Sequence, residues 1–325
     1  MKRLLIAFLC LLLAASGLLA YGLYYYYNAP GPLVQDTTLI FKHGEGFRAV
    51  TDDMAAAGVI ERPLMFKALA VLTGEAPRFK AGEYHFSAAV TPRQAMGMLA
   101  EGRVVVHKIT IPEGLNVREA LSLLAQEPAL EGSLPENIPE GSLLPETYHF
   151  TYGDKRQDIV DRMQAGMASL LASLWQKRKP GLPFANPEQA LTLASIVEKE
   201  TGLDSERGRV AAVFINRLKR GMKLQSDPTV AYGMERQAGR KLDRTLTLDD
   251  LHQDTPYNTY VIPGLPPGPI ANPGRAALEA TLNPPDTNDL YFVATGAGGH
   301  NFSSTLQGHN KNVQQYRETV TKKAP

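Results

Sequence analysis

Two glutamates, Glu198 and Glu200, follow an apolar run that spans residues 191–197. Asn186 followed by proline predicts the start of a helix, and the apolar residues after it recur at helical spacing, so one face of the helix should be buried. We expect Gly202 to close the helix. A carboxyl group at the edge of a buried face loses water, which raises its pKa and keeps it protonated enough to act as a general acid near neutral pH. The alternative is that both glutamates are solvated surface charges, and the helical spacing favours Glu200 over Glu198 only slightly.

Several polar and aromatic segments downstream of the glutamates could hold a sugar ring. The polar residues before Pro228 can hydrogen-bond sugar hydroxyls, or they can simply form a side-chain turn. The segment 256–274 is rich in proline, so it can present aromatic rings and amides with little loss of entropy on binding. His300 follows a strand predicted at 290–294, although a lone histidine is more often structural than catalytic. The candidate binding residues are Gln225, Ser226, Asp227, Tyr257, Asn258, Thr259, Asn272 and His300.

The composition is that of an ordinary globular protein and argues against several classes of partner. The chain has 325 residues, of which 44% are hydrophobic and 21% charged, which is enough for two domains. A formal net charge of +1 provides no basic field for nucleic acid. Cys10 is the single cysteine, and the seven histidines lack the spacings of a metal site. We therefore expect no metal, no other cofactor and no nucleic-acid partner.

The N-terminus predicts a membrane anchor. Lys2 and Arg3 precede about 20 uncharged residues that end near Leu23, and four tyrosines follow at 24–27. Such a run spans a bilayer as a helix, the preceding cations place the N-terminus in the cytoplasm, and the tyrosines suit the far interface. A cleaved signal peptide is the alternative interpretation. We expect an uncleaved single-pass anchor in the inner (cytoplasmic) membrane, with the rest of the chain in the periplasm.

The remaining sequence predicts an α+β fold in consecutive parts. After the cytoplasmic tip and transmembrane helix (1–27) we expect a linker at 28–36, a small α+β module at 37–110 and a larger domain at 111–325. The module alternates strands and short helices. In the larger domain, helices are predicted near 116–126, 156–178, 187–201 and 204–220, followed by a long stretch that is mostly irregular.

Taken together, several runs resemble the MltG (YceG-like) family of membrane-anchored endolytic murein transglycosylases. They occur in the family's order and extend from the anchor to the C-terminal region. The runs are Ile111-Pro-Glu-Gly114, Leu144-Pro-Glu-Thr-Tyr148, Ala194-Ser-Ile-Val-Glu-Lys-Glu-Thr201, Val213-Phe-Ile-Asn-Arg-Leu218, Leu224-Gln-Ser-Asp-Pro-Thr229, Tyr257-Asn-Thr-Tyr260, Gly264-Leu-Pro-Pro-Gly-Pro-Ile-Ala-Asn-Pro-Gly274, and Tyr291-Phe-Val293 with Gly299-His300.

The resemblance implies a LysM-like module at 37–110 and, after it, a lysozyme-like, mainly helical catalytic domain with loop and strand elaborations. It places the catalytic glutamate at Glu200, because Glu200-Thr201 is similar to the Glu-Ser pair of other lytic transglycosylases. Residues 225–227, 257–259, Asn272 and His300 lie in the family's motifs and are expected to line the groove around Glu200.

The resemblance also implies a reaction. An endolytic lytic transglycosylase cleaves the β-1,4 bond between N-acetylmuramic acid and N-acetylglucosamine in nascent peptidoglycan and leaves 1,6-anhydro ends, which would limit strand elongation beside penicillin-binding protein synthases. A hydrolytic muramidase remains an alternative, with Asp227 as the second carboxylate. A non-catalytic peptidoglycan-binding division scaffold is another, although the intact Glu-Lys-Glu-Thr run favours an enzyme.

Overall fold

A computed structural model describes residues 1–323 of the chain, which form two units. The first unit contains residues 1–108 together with the short segments 128–131 and 149–154, and the second contains the rest. The main segment of the first unit thus ends at residue 108, close to the predicted boundary after residue 110, and this unit also includes the two short segments that follow. The last two residues of the predicted domain 111–325 lie outside the described residues.

Helices and strands alternate through the first unit. Its elements are α1 (Lys2–Asn28), β1 (Thr37–Phe41), α2 (Phe47–Ala56), α3 (Pro63–Leu72), β2 (Gly82–Phe86) and α4 (Pro92–Glu101). β1 and β2 pair antiparallel, with Thr37 opposite Phe86. Tyr84 and Phe86 alternate along β2 and are fully buried, as expected for a strand with one face toward the core.

The end of α1 and the residues after it belong to the first unit's core. Tyr26 and Leu33 are buried in that core, although most of α1 is exposed along its length. The Ala89 backbone N–H donates to the Leu33 carbonyl at 2.8 Å. The predicted linker at 28–36 is thus packed against the unit rather than free.

The second unit is mainly helical. β3 (Val106–Thr110) and β4 (Thr147–Thr151) form a two-stranded sheet. The other elements are α5 (Val117–Gln126), α6 (Arg156–Gln176), α7 (Pro187–Glu200), α8 (Asp204–Lys219), α9 (Asp227–Ala238), α10 (Arg275–Leu282), β5 (Tyr291–Ala294), β6 (His300–Ser303) and α11 (Leu306–Lys323).

α7 is the central helix of the second unit. Residues 190–197 are buried without interruption, because α6, α8, α9 and α10 pack around them. The prediction of a single buried face is therefore wrong, since the helix is enclosed on all sides. α7 ends at Glu200, and Thr201 continues in an extended conformation with φ −147°. Gly202 is not left-handed, so the predicted glycine cap does not end the helix.

The fold is mixed helix and strand with an apolar N-terminal helix, as predicted, but three later helices were missed. α9 and α10 lie in the stretch that was predicted to be mostly irregular. Pro228 was interpreted as a loop residue, whereas here it occupies the first turn of α9, where proline is tolerated. α11 is polar along most of its length, so it lacks the apolar periodicity that predicts a helix.

Candidate active site

Glu200 is the last residue of α7, and its side chain lines a polar cavity of about 460 Å³. Its Oε1 accepts a hydrogen bond from Ser226 Oγ at 2.5 Å. Because the Ser226 hydroxyl occupies Oε1, the other carboxyl oxygen is left to interact with a ligand. The cavity is lined by Glu200, Arg217, Leu224, Gln225, Asp227, Tyr260, Phe292, Val293 and His309.

Burial raises the pKa of Glu200 to about 7. The hydrogen bond from Ser226 opposes this rise, as do electrostatic interactions with His300 and Arg217, while the negative charge of Asp227 adds to it. Removal of a carboxylate from water penalises its charged form more strongly than these partners stabilise it. A substantial fraction of Glu200 is therefore protonated near neutral pH, as a general acid requires.

Glu198 occupies a different environment from Glu200. Its Oε2 accepts a hydrogen bond from the Gly274 backbone N–H at 2.9 Å, at the start of α10. Burial also raises the pKa of Glu198, and the nearby carboxylate of Glu113 adds to the rise. A Cβ at Gly274 would overlap the Glu113 carboxyl group, so this close approach requires glycine. Glu198 thus joins α7 to α10 and is not among the side chains that line the cavity of Glu200.

The turn that carries Ser226 is held in a strained conformation. Gln225 has φ +54°, which is unusual for a residue other than glycine. Two hydrogen bonds from the turn to Thr259 maintain it: the Gln225 N–H donates to the Thr259 carbonyl at 3.2 Å, and the Ser226 N–H donates to Thr259 Oγ1 at 3.0 Å. Strain of this kind persists only where the surroundings over-determine it, and it often marks a functional position. Here it directs the Ser226 side chain at Glu200.

Three of the predicted binding residues meet at the cavity of Glu200. Gln225 and Asp227 line it, and Ser226 contacts the Glu200 carboxyl. Asp227 begins α9, and its Oδ1 accepts a hydrogen bond from the Tyr260 hydroxyl at 2.6 Å. The structure therefore brings the polar residues that precede Pro228 together with Glu200.

Three other predicted binding residues, Asn258, Thr259 and Asn272, are positioned differently from the prediction. All three are fully buried, with no exposed surface through which to contact a glycan. The Asn258 amide donates to two carbonyls of its own loop, and its Oδ1 accepts from the Tyr260 N–H at 2.9 Å. In this structure the hydrogen bonds of Asn258 and Thr259 support the loops that carry Ser226 and Tyr260.

Two further predicted binding residues, Tyr257 and His300, are not among the side chains that line the cavity of Glu200. Tyr257 packs edge-on against Tyr232 with ring centroids 4.9 Å apart, and it is not among the lining side chains. His300 Nδ1 lies 2.8 Å from a carboxylate oxygen of Glu206, while the His300 backbone N–H donates to the other oxygen at 2.9 Å. His300 is thus oriented by Glu206 and does not line the cavity of Glu200.

Sequence reasoning missed several lining residues, of which Arg217 and Tyr260 are the most polar. Arg217 is buried, and its guanidinium donates to the Leu290 and Leu224 carbonyls at 2.7 Å each. It was not selected as a site residue, although its position three residues after Phe214 places it on the apolar side of α8. Tyr260 is the last residue of the Tyr257-Asn-Thr-Tyr260 run, and the three residues before it were all predicted to bind the glycan.

His309 is a further missed residue, contributed by α11. Its ring stacks on Tyr291 at 5.1 Å and lines the cavity of Glu200. Burial lowers the pKa of His309, and the charge of Arg217 lowers it further, so the ring is neutral near pH 7. Nothing in the sequence of this polar helix distinguishes His309 from its neighbours.

We expect Asn272→Ala to destabilise the second unit. Asn272 Oδ1 accepts from the Leu143 N–H, and its Nδ2 donates to the Leu115 carbonyl, each at 2.9 Å. Removing the amide leaves buried backbone groups unpaired and should lower the free energy of unfolding by about 2–4 kcal/mol. Thermal unfolding followed by circular dichroism measures this, and the exposed Asn310→Ala is the control. An unchanged melting temperature with lost glycan binding would instead restore Asn272 as a contact residue.

Glu200→Gln should change how stability depends on pH. Because the folded pKa is raised from 4.5 to about 7, the folded protein retains a proton that the unfolded chain loses, and wild-type stability falls as pH rises through this interval. Glutamine has no charged form, so its burial does not become more costly as the pH rises. Above pH 7 the variant should therefore be more stable than the wild type by up to about 3 kcal/mol. Below pH 4.5 this difference should vanish. Denaturant unfolding across pH measures it, with the exposed Glu136→Gln as control, and parallel profiles would contradict it.

Comparison with known proteins agrees with these features. The YceG-like family profile matches residues 39–315. A Bacillus subtilis protein named endolytic murein transglycosylase is 31% identical over 86% of this chain and 84% of its own length. A Streptococcus pneumoniae protein of the same name is 27% identical over 86% of this chain, but the match spans only 58% of that protein. The crystal structure of a YceG-like protein from Listeria monocytogenes aligns with a TM-score of 0.53 and 30% identity, over 86% of this chain and 99% of that one. The chain therefore belongs to the YceG-like family.

Proposed function

We propose that this protein is an endolytic lytic transglycosylase, which cleaves the β-1,4 bond between N-acetylmuramic acid and N-acetylglucosamine in nascent peptidoglycan. The observation that carries the proposal is the Glu200 carboxyl, which faces a polar cavity and has a pKa raised to about 7 by burial. The names of the Bacillus and Streptococcus relatives support the same substrate and reaction. Cleavage of nascent strands would terminate their elongation.

In the proposed reaction one carboxyl group acts first as acid and then as base. The free oxygen of protonated Glu200 donates its proton to the glycosidic oxygen as the muramyl ring develops oxocarbenium character. The Glu200 carboxylate then accepts the proton of the C6 hydroxyl of the same sugar, and that oxygen bonds to C1. The product is a 1,6-anhydro ring, and no water is consumed. The intramolecular hydroxyl benefits from a large effective molarity, so a second catalytic carboxylate is unnecessary.

The surface around the site supports cleavage within a strand rather than at its end. Asp227 lines both the cavity of Glu200 and a second cavity of about 330 Å³. The second cavity is bounded by residues from α7 and α9, including Lys199 and Tyr232. Open space on both sides of Asp227 allows a long strand to extend past the site in both directions, which suits cleavage within the strand.

A hydrolytic muramidase is the second candidate function, favoured by Asp227. This carboxylate shares the cavity with Glu200, and its charge raises the pKa of Glu200. In a hydrolase it would serve as the second carboxylate, either as nucleophile or as the base that activates water. In the transglycosylase it stabilises the positive charge that develops on the sugar. A purely scaffolding role is disfavoured, because a buried carboxyl with a raised pKa costs stability that a scaffold has no reason to lose.

We assign residues 37–110 to a LysM-like module and 111–325 to a lysozyme-like catalytic domain. The first assignment is supported by a separate core in the first unit, which includes Phe41, Phe66 and Tyr84. The second is supported by the central helix α7, which carries the catalytic carboxyl at its end. In this assignment the remaining predicted binding residues act indirectly: Tyr257 packs against Tyr232, and His300 is held by Glu206.

We place the protein in the inner membrane, with its N-terminus in the cytoplasm and its catalytic domain in the periplasm. α1 is long and apolar enough to span a bilayer. The end of α1 is also part of the folded first unit, because Leu23, Tyr26 and Tyr27 pack in or against its core, so cleavage after Tyr27 would remove core side chains. An anchor of this kind keeps the enzyme near newly made strands, so we expect association with penicillin-binding protein synthases.

Glu200→Gln should abolish the reaction, because the amide cannot donate the proton. We expect turnover on purified glycan strands to fall at least about 100-fold, the usual scale of general acid–base loss. The matched variant Glu198→Gln keeps an oxygen that can accept from Gly274, so its turnover should remain near that of the wild type. Mass spectrometry should find internal cleavage with 1,6-anhydro ends. Reducing muramic acid ends would favour the muramidase, and an inactive Glu198→Gln beside an active Glu200→Gln would reverse the assignment.

A reporter fused to the C-terminus tests the topology. Alkaline phosphatase, which requires export, should be active there, whereas a fluorescent protein that matures only in the cytoplasm should stay dark. The physical reason is that Lys2 and Arg3 precede the span and retain the N-terminus inside. A mature N-terminus at or beyond Tyr21, or a fluorescent C-terminal fusion, would contradict the proposed anchor.

A further inference from the structure

An apolar stripe on α3 of the first unit has no partner within residues 1–323. Three large side chains, Leu64, Val71 and Leu72, are 80%, 66% and 73% exposed, and Ala68 lies exposed between them. At 100° per residue these four positions fall within an arc of about 100°. The opposite face of the helix, which includes Phe66, is buried in the core. α3 is therefore apolar on both faces, although a helix on the surface of a soluble domain usually exposes a polar face.

The position of α3 relates this stripe to the membrane. α3 packs against α1, and the Tyr26 hydroxyl donates to the Arg62 carbonyl, directly before α3, at 3.1 Å. A span of about 20 residues that begins near Leu4 ends near Leu23, so Tyr26 lies at the level of the lipid headgroups. The residues that contact this last turn must lie at the same level. The first turn of α3, which carries Leu64, is consequently at the bilayer surface.

We propose that the apolar stripe of α3 (Leu64, Ala68, Val71 and Leu72) inserts into the outer leaflet of the same bilayer that α1 crosses. The proposal rests on the membrane anchor described above. A helix that lies in the interface with its apolar side chains among the acyl chains is a recognised mode of membrane attachment. Combined with α1, it provides the first unit with two attachments and fixes its orientation on the membrane.

Charge has little part in this contact. The cations nearest the stripe are already matched by acidic groups of the same unit: Lys67 Nζ lies 2.6 Å from Asp52, and Arg62 lies 3.9 Å from Glu61. The burial of apolar side chains is therefore the driving force. Contact of the stripe with lipid should be insensitive to salt and should not require anionic lipid, unlike a polybasic attachment.

Depth-dependent fluorescence quenching tests the proposal on the full chain. Cys10→Ser removes the native thiol, and a single cysteine at Leu64 or Leu72 then carries an environment-sensitive dye. The control is the same label at Ile40, which is also apolar and exposed but lies on β1. The proteins are reconstituted into phosphatidylethanolamine–phosphatidylglycerol vesicles that contain lipids with a nitroxide quencher high on the acyl chain. We expect quenching at Leu64 and Leu72 to be at least about twofold stronger than at Ile40, and weaker with a deep quencher.

Each outcome decides the matter. Quenching at the stripe that does not exceed quenching at Ile40 overturns the proposal. A second possible result is a blue-shifted dye that lipid nitroxides do not quench. If its spectrum returns to that of an exposed dye when the protein is diluted into more lipid, a second copy of the chain covers the stripe, and this result also overturns the proposal. If alkaline carbonate extracts the chain from vesicles, the anchor itself fails and the stripe proposal falls with it. Formation of anhydro ends is measured separately and depends on neither result.

Discussion

Withdrawal of the Glu200 carboxyl from water is the constraint on which the arrangement of the second unit depends. α7 is enclosed by four other helices, and its last residue remains at the edge of that apolar environment. A solvent-exposed helix end would leave the carboxyl with an ordinary pKa, whereas a deeper position would deprive it of a substrate. The same burial that raises the pKa of Glu200 to about 7 penalises the folded state above that pH. The extensive core around residues 190–197 offsets that penalty.

The loops opposite Glu200 are held by side chains that never contact solvent. Thr259 accepts from the Ser226 N–H, and Asn258 accepts from the Tyr260 N–H, so adjacent buried residues fix two groups of the cavity wall. Thr229 lies in the first turn of α9, and its Oγ1 is 2.8 Å from Thr259 Oγ1, so a hydrogen bond joins the two loops. These polar groups satisfy each other's hydrogen bonds, which is the condition under which buried polar networks add rigidity rather than cost stability. Precise placement of the Ser226 hydroxyl follows from this network.

The sequence was sufficient to predict the helix that carries Glu200, the apolar N-terminal helix and most elements of the first unit, because periodicity and capping residues are local signals. It also identified the turn at residues 225–227. It could not separate contact from support: asparagine and threonine in a stiff loop serve equally well to bind a sugar or to brace a backbone, and only burial distinguishes these roles. Arg217 was missed because its guanidinium is paired with carbonyls distant in sequence, such as Leu290. His309 was missed because α11 has no apolar pattern.

The distribution of negative charge in the cavity favours a transglycosylase over a hydrolase. Asp227 accepts a short hydrogen bond from the Tyr260 hydroxyl at 2.6 Å, and burial raises the pKa of that hydroxyl well above its usual value, so it remains a donor. The hydrogen bond occupies one oxygen of the Asp227 carboxylate and restrains its orientation, so this group is less available than a free carboxylate to attack the sugar. Its charge still favours a cationic sugar. Glu200 is then the group best suited to move a proton, and a substrate that supplies its own hydroxyl completes the reaction with that single carboxyl.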